Sequence, residues 1–226
     1  MKKRKFNLKK KTTLKRNKIP PENVFLKFIN SRHHPVILLA SRPAVGKTKL
    51  VFTVAVRLAD ISGMKSVIVS AKRDELDMKE RIRSSIILND KDEDVFVWDG
   101  KNIYCKQFAQ FMREKGIGLI IIDDSYKMTQ VFAMRKVRDL ACEFDIPVIV
   151  LKNLSRRTER RLDHRPRIQD IRNRRHILPY VDRVVLLYRD SYYYPHADSD
   201  NAVLYVGNQK SDKYKTISIM WDDNRY

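Results

Sequence analysis

The 226-residue chain contains no run of about 18 apolar residues, so it offers no candidate transmembrane helix. Charges open the N-terminus with no apolar core behind them, which reads against a secretory leader. Cysteine is nearly absent. Cys105 and Cys142 are too few for a disulfide framework or a cysteine-rich metal site. Free thiols in a reducing cytoplasm are the expectation. Acidic residues are also in short supply, with 27 against 47 lysines and arginines and a net charge of +20. That balance excludes an acidic module and favours a polyanionic partner, usually nucleic acid and sometimes an anionic membrane surface. The hydrophobic share of 43% is enough for a substantial core and excludes a wholly disordered chain.

The charge is unevenly spread. Residues 1–18 hold ten basic residues and no acid, half of the net charge. They read as a disordered basic arm suited to non-specific phosphate contact, ended by Pro20-Pro21. Residues 19–226 read as one domain. Glu22 to Asn30 fits a short helix. From residue 35 the pattern alternates between strand and helix. Apolar runs at 35–41, 66–70, 94–98, 119–123 and 146–151 are buried strands, and 49–61, 75–88, 104–115 and 129–144 have helical spacing. Residues 152–181 are polar and arginine-rich. Three more strands follow at 183–188, 202–207 and 215–221, the last ones expected to extend the sheet antiparallel. The fold class is α/β with a mainly parallel sheet.

Between the first strand and its helix stands Ser41-Arg42-Pro43-Ala44-Val45-Gly46-Lys47-Thr48, a P-loop with serine in the first glycine position. Such a turn wraps backbone N–H groups around phosphates at a helix N-terminus. Lys47 would reach the β- and γ-phosphates of ATP, and the Thr48 hydroxyl would ligate Mg2+. A P-loop also needs an acid at the end of a buried strand. Asp123, closing Leu119-Ile120-Ile121-Ile122, is the expected magnesium partner. Asp124 follows at once, but consecutive strand residues face opposite sides.

The order of elements resembles the C-terminal motor domain of DnaB-type replicative DNA helicases, a RecA-like P-loop ATPase. Ser41-Arg42-Pro43 stands for that family's A-R-P, and residues 146–193 follow its I-P-V-I, L-S-Q-L-S-R, R-x-x-x-R-P, D-L-R-E-S-G, D-A-D and Y-R-D-x-Y elements almost without gaps. The likeness covers roughly residues 34–226. The family's N-terminal primase-contacting domain and linker helix have no counterpart in it. The resemblance implies ATP-driven unwinding in DNA replication by a ring of subunits, usually six, around single-stranded DNA. It places Lys47, Thr48 and Asp123 at the nucleotide and metal, Asn153 at the γ-phosphate-sensing glutamine, and Lys210 at the arginine finger acting on a neighbouring subunit. Arg172, with Arg174 and Arg175, stands in the DNA-contacting loop. Possible partners are further copies of the chain, a replicative helicase or a primase.

Several family positions carry other chemistry. Lys72 aligns with the general-base glutamate and cannot activate water as a carboxylate does. Asn153 keeps the amide one methylene shorter. Lys210 lacks the planar fork of arginine, a group worth roughly 10³–10⁵ in rate in related hydrolases. Turnover is therefore expected to be very low unless Asp124, Glu75 or another acid substitutes. Meanwhile residues 155–175 carry nine arginines against three acids, which strengthens a polyanion contact. Three functions stay open: a helicase motor, a degenerate relative that binds nucleotide and DNA as an accessory, loader or regulator, and a basic nucleic-acid-binding protein with an idle P-loop. His33-His34 have no further ligand at zinc spacing, and His164 and His176 sit among arginines, where a cation is disfavoured. Met64, Met78, Met112, Met134 and Trp98 read as packing residues. Tyr192-Tyr193-Tyr194 reads equally as base-stacking or as packing against the sheet edge.

Overall fold

A computed structural model describes residues 18–30, 35–70, 92–98, 103–123, 131–194, 196, 201–207 and 214–221. Residues 1–17 of the basic arm, His33-His34, the helix expected at 75–88, Lys72, Met78, Asp124 and the 208–210 segment with Lys210 lie outside the described residues.

Eight strands form one sheet: β1 (Val36–Ser41), β2 (Lys65–Val69), β3 (Val95–Trp98), β4 (Ile117–Ile122), β5 (Val148–Asn153), β6 (Arg183–Tyr188), β7 (Asn201–Gly207) and β8 (Lys215–Met220). Their order is β3-β2-β4-β5-β1-β6-β7-β8. The first six pair parallel, and β7 and β8 add antiparallel. The sheet is mainly parallel with an antiparallel C-terminal edge, as the sequence led us to expect. Of the last three strands, β6 is parallel to β1, β7 runs the opposite way, and β8, antiparallel to β7, returns to the direction of the first six.

Both faces of the sheet are covered, which is why β1 and β5 read as unbroken aliphatic runs. On one face Ile37, Leu39, Ile149 and Leu151 pack against α1 (Pro21–Ile29) and α2 (Lys47–Ser62). On the other, Val36, Leu38, Val148 and Val150 join a cluster with α3 (Lys106–Lys115) and α4 (Val131–Phe144). Each such side chain taken fully out of water contributes about 1.5–3 kcal/mol. α3 begins at Lys106 and not Tyr104, because the Cys105 sulfur caps it by accepting the Phe108 N–H. Met112, Met134 and Met64 pack in these clusters, and Trp98 lies edge-on to Phe108 at 5.1 Å.

The arginine-rich stretch is built onto the second cluster. It runs through 3-10 turns at Arg156–Arg160 and Ile168–Asp170, then α5 (Arg174–Ile177) and a turn at Leu178–Tyr180. Ile168, Ile171 and Ile177 are buried, and Leu154 bridges Ile171. The short helix α6 (Asp190–Tyr193) follows β6. At the far edge, Ile19 donates its N–H to Ser218 at 3.1 Å and bridges Ile219, so the chain enters beside β8.

Candidate active site and nucleic-acid interface

In a parallel sheet the loops that leave the carboxyl ends of the strands gather on one edge, and ligand chemistry collects there. β4, β5 and β1 are neighbours, so Asp123, Asn153 and the P-loop all emerge on that edge. Ser41 explains its own presence in the first glycine position. It is still part of β1, fully buried, and its hydroxyl donates to the Arg42 carbonyl at 2.8 Å. The turn proper begins after it. Ala44 and Gly46 both have positive φ, and Val45 N–H reaches Arg42 O at 3.4 Å. Turns of this kind make concavities for anions. Gly46 starts α2 without a side-chain cap and without an acid in the first turn, so no carboxylate competes for the helix N-terminus.

Lys47 is buried, and its ammonium donates to Asn153 Oδ1 at 2.6 Å. Ser41 and Asn153 are paired across β1 and β5, which fixes that reach. Asp123 lies one strand further, half-buried, its N–H donating to Val69 O at 3.0 Å. Thr48 sits in the first turn of α2. A hydroxyl and a carboxylate are hard oxygen donors, and that donor set fits Mg2+. The sequence-selected residues Lys47, Thr48, Asn153 and Asp123 therefore come to one edge of the sheet.

Arg42 takes a different role from its neighbours. Its guanidinium donates to Glu159 Oε1, at 2.8 Å from Nε and 2.5 Å from Nη2, and to the Leu154 carbonyl at 2.7 Å. It ties the P-loop to the Arg156–Arg160 turn. Glu159 was not singled out from the sequence, because 117 residues separate the two partners.

A second unforeseen contact lies at Gly46. A Cβ there would fall 2.6 Å from two ring carbons of Trp221, and Trp221 is 1% exposed. The Arg189 guanidinium lies 4.4 Å from the centroid of the same indole. The residue that follows β8 thus packs under the phosphate turn.

Beside the P-loop opens a cavity of about 1270 Å3. Arg42, Pro43 and Asn153 line it together with Arg172, Arg174 and Arg175. Arg156, Arg157 and Arg160 also line it, as does Lys152, buried near the end of β5. Arg161 does not belong with them. It is bonded to both carboxylate oxygens of Asp170, at 3.0 and 2.5 Å, and that hydrogen bond raises its pKa further. Asp170 is 2% exposed and also accepts the Arg167 N–H at 2.8 Å. The charge count of the stretch therefore mixes cavity-lining arginines with one structural clamp.

Above the clamp, Tyr193 stacks on His164 at 4.6 Å and on Tyr188 at 5.7 Å. Burial pushes the Tyr193 hydroxyl up to about 12. Tyr194 donates to Leu162 O at 3.0 Å. Tyr193 thus packs against the sheet-side cluster, while Tyr192 and Tyr194 remain partly exposed.

The family model for the DnaB-like helicase C terminal domain matches residues 71–226. The chain belongs to that family. The match begins downstream of the P-loop. Among curated relatives, the replicative DNA helicase DnaC of Bacillus subtilis (strain 168) is 24% identical over 229 residues, covering 83% of this chain and 50% of the relative. The replicative DNA helicase DnaB of Geobacillus stearothermophilus is 30% identical over 128 residues, 51% of this chain and 28% of the relative. The chain spans about half the length of such relatives. Among solved structures, one ATPase domain aligns with a TM-score of 0.70 at 21% identity, covering 88% of this chain and 86% of that one. A DnaB-like replicative helicase, studied with its primase interactions, gives 0.69 at 20% identity over 88% of this chain and 58% of that one. A KaiC-like protein of Pyrococcus horikoshii OT3 gives 0.61 at 10% identity, covering 90% and 96%. The fold is RecA-like.

Proposed function

We propose that this DnaB-like domain is an ATP-dependent motor on single-stranded DNA, used to unwind duplex in replication. The observation that carries this reading is the shared cavity. Its walls include the P-loop residues Arg42 and Pro43, the Lys47 partner Asn153, and Arg172, Arg174 and Arg175. Lys47, Thr48 and Asp123 lie outside its lining, so a strand on the three arginines would run beside the phosphate turn, joined to it through Asn153 and Arg42.

Each residue has work suited to its position. The backbone around Gly46 and the N-terminus of α2 would hold the phosphates. Lys47 would neutralise the β- and γ-phosphates, with its ammonium kept in place by Asn153. Asn153 would register the loss of the γ-phosphate, because its bond to Lys47 competes with that phosphate. Thr48 and Asp123 would hold Mg2+, which when bound offsets phosphate charge. Arg172, Arg174 and Arg175 would contact the strand. In a ring, or beside a replicative helicase, Lys210 of one subunit would serve the nucleotide of the next.

ATP hydrolysis with and without single-stranded DNA tests the reading, with Lys47→Ala as the blank. DNA-stimulated turnover that disappears in the blank is expected. A rate equal to the blank, with ATP still raising the melting temperature as a bound ligand must, favours a second reading. In it the chain is an accessory or regulator that holds nucleotide and DNA with little hydrolysis. Lys72 at the general-base position supports that alternative. Under it, Lys72→Glu with Lys210→Arg should restore turnover.

A further inference from the structure

A second, smaller cavity of about 370 Å3 adjoins the Ile168–Asp170 turn through Gln169. It is lined by Tyr205 and Tyr214 together with Asp163, Arg165 and Arg167. Gln169 lines both this cavity and the arginine cleft. We propose that the cavity receives one nucleotide of the strand lying in the arginine cleft, its base against the two tyrosines and its phosphate against Arg165. This deepens the reading above and rests on it.

The tyrosines are already positioned. Tyr214 Oη accepts the Ile168 N–H at 2.8 Å, which holds its ring at the turn that both cavities share. Tyr205 lies edge-to-face with Tyr214 at 6.5 Å, and burial raises its pKa, so it stays neutral. Aromatic rings held in this way form a stacking surface at little entropic cost. The charges divide unequally. Asp163 takes Arg167 at 3.5 Å and Arg161 at 3.8 Å. The Arg165 side chain makes no ion pair or hydrogen bond among the described residues, and it lines the same cavity as Tyr205. An exposed cation beside an aromatic wall suits a base with its phosphate. The volume is at the small end for ligand pockets, enough for one nucleotide and not for a duplex.

The test uses the full chain and a fluorescent oligothymidylate read by anisotropy. A second strand carries a single abasic site, stepped along its length. Arg165→Ala and Tyr214→Leu are compared with wild type after melting curves show each folded. An iodouracil-substituted strand is photo-crosslinked and the adduct mapped. Tenfold or so weaker binding by each variant is expected, with one abasic position that weakens wild type but not Tyr214→Leu, and an adduct on Tyr205 or Tyr214. Because Arg165 is exposed, its variant stays informative even where Tyr214→Leu unfolds. Wild-type affinity in both variants, no sensitive abasic position and no tyrosine adduct would overturn the proposal while the cleft stands. If wild type binds no strand, the cleft and the cavity fall together. A strand lost on Arg172→Ala, Arg174→Ala and Arg175→Ala but indifferent to Arg165 and Tyr214 assigns the contact to the cleft alone and sinks the cavity.

Discussion

Gly46 is the residue on which most constraints meet. Its φ of 105° is one that side chains rarely adopt, and Trp221 fills the space a Cβ would take. Gly46→Ala should cost roughly 1–3 kcal/mol from strain and overpacking and should abolish the ATP-induced rise in melting temperature. Gly63→Ala is the control. It has a φ of 65° and nothing within 4 Å, so it suffers backbone strain without the clash and should keep nucleotide binding. Equal nucleotide affinity in the two variants would remove Trp221 from the account. The glycine, the lysine and the threonine were legible in the sequence because they adjoin. Trp221 was not, because its contact closes across most of the chain's length. Arg42 shows the same limit. Its place in the P-loop read as part of a backbone cradle for phosphate, and the tie of its guanidinium to Glu159 and the Leu154 carbonyl was not visible in the sequence.

Among the elements, the 155–175 stretch departs furthest from what its composition conveyed. Nine arginines announced a basic loop. The structure turns it into a series of short helical turns anchored by Ile168, Ile171 and Ile177, with Asp170 as a buried acceptor. Asp170→Asn halves the charge pairing of Arg161 without changing shape. It should destabilise the fold by about 2–3 kcal/mol in chemical denaturation, below a fully buried pair because Arg161 is partly solvated. It should also weaken strand binding, since Gln169 of the same turn lines both cavities. A stability unchanged within error would mean the clamp is dispensable. Strands β1, β4 and β5 were plain in advance, since six parallel strands covered on both faces must be aliphatic throughout. The turns were hidden, because their apolar anchors are single isoleucines among charges, too sparse to show a period.

For the whole molecule the excess of positive charge matters through its placement. Strand affinity should fall linearly with salt on logarithmic axes, by about 0.7 per phosphate contact. The combined Arg172→Ala, Arg174→Ala, Arg175→Ala variant should flatten that slope by about 2, provided those three residues touch phosphate. An unchanged slope would move the contact elsewhere, for example to residues 1–18 with their ten basic side chains. Family membership fixes neither outcome, because the chain spans half of the curated relative's length and, on the proposed reading, Lys72 and Lys210 stand where the family speeds hydrolysis. The packing of Trp221 under the phosphate turn also gives the protein an optical property. The chain has two tryptophans. Trp98 is set among Phe108 and Phe111, while Trp221 lies between Gly46 and Arg189. Any phosphate that draws on the turn or on the guanidinium alters the surroundings of one indole and leaves the other as it was. The emission of this unlabelled protein therefore carries its own internal standard for nucleotide occupancy.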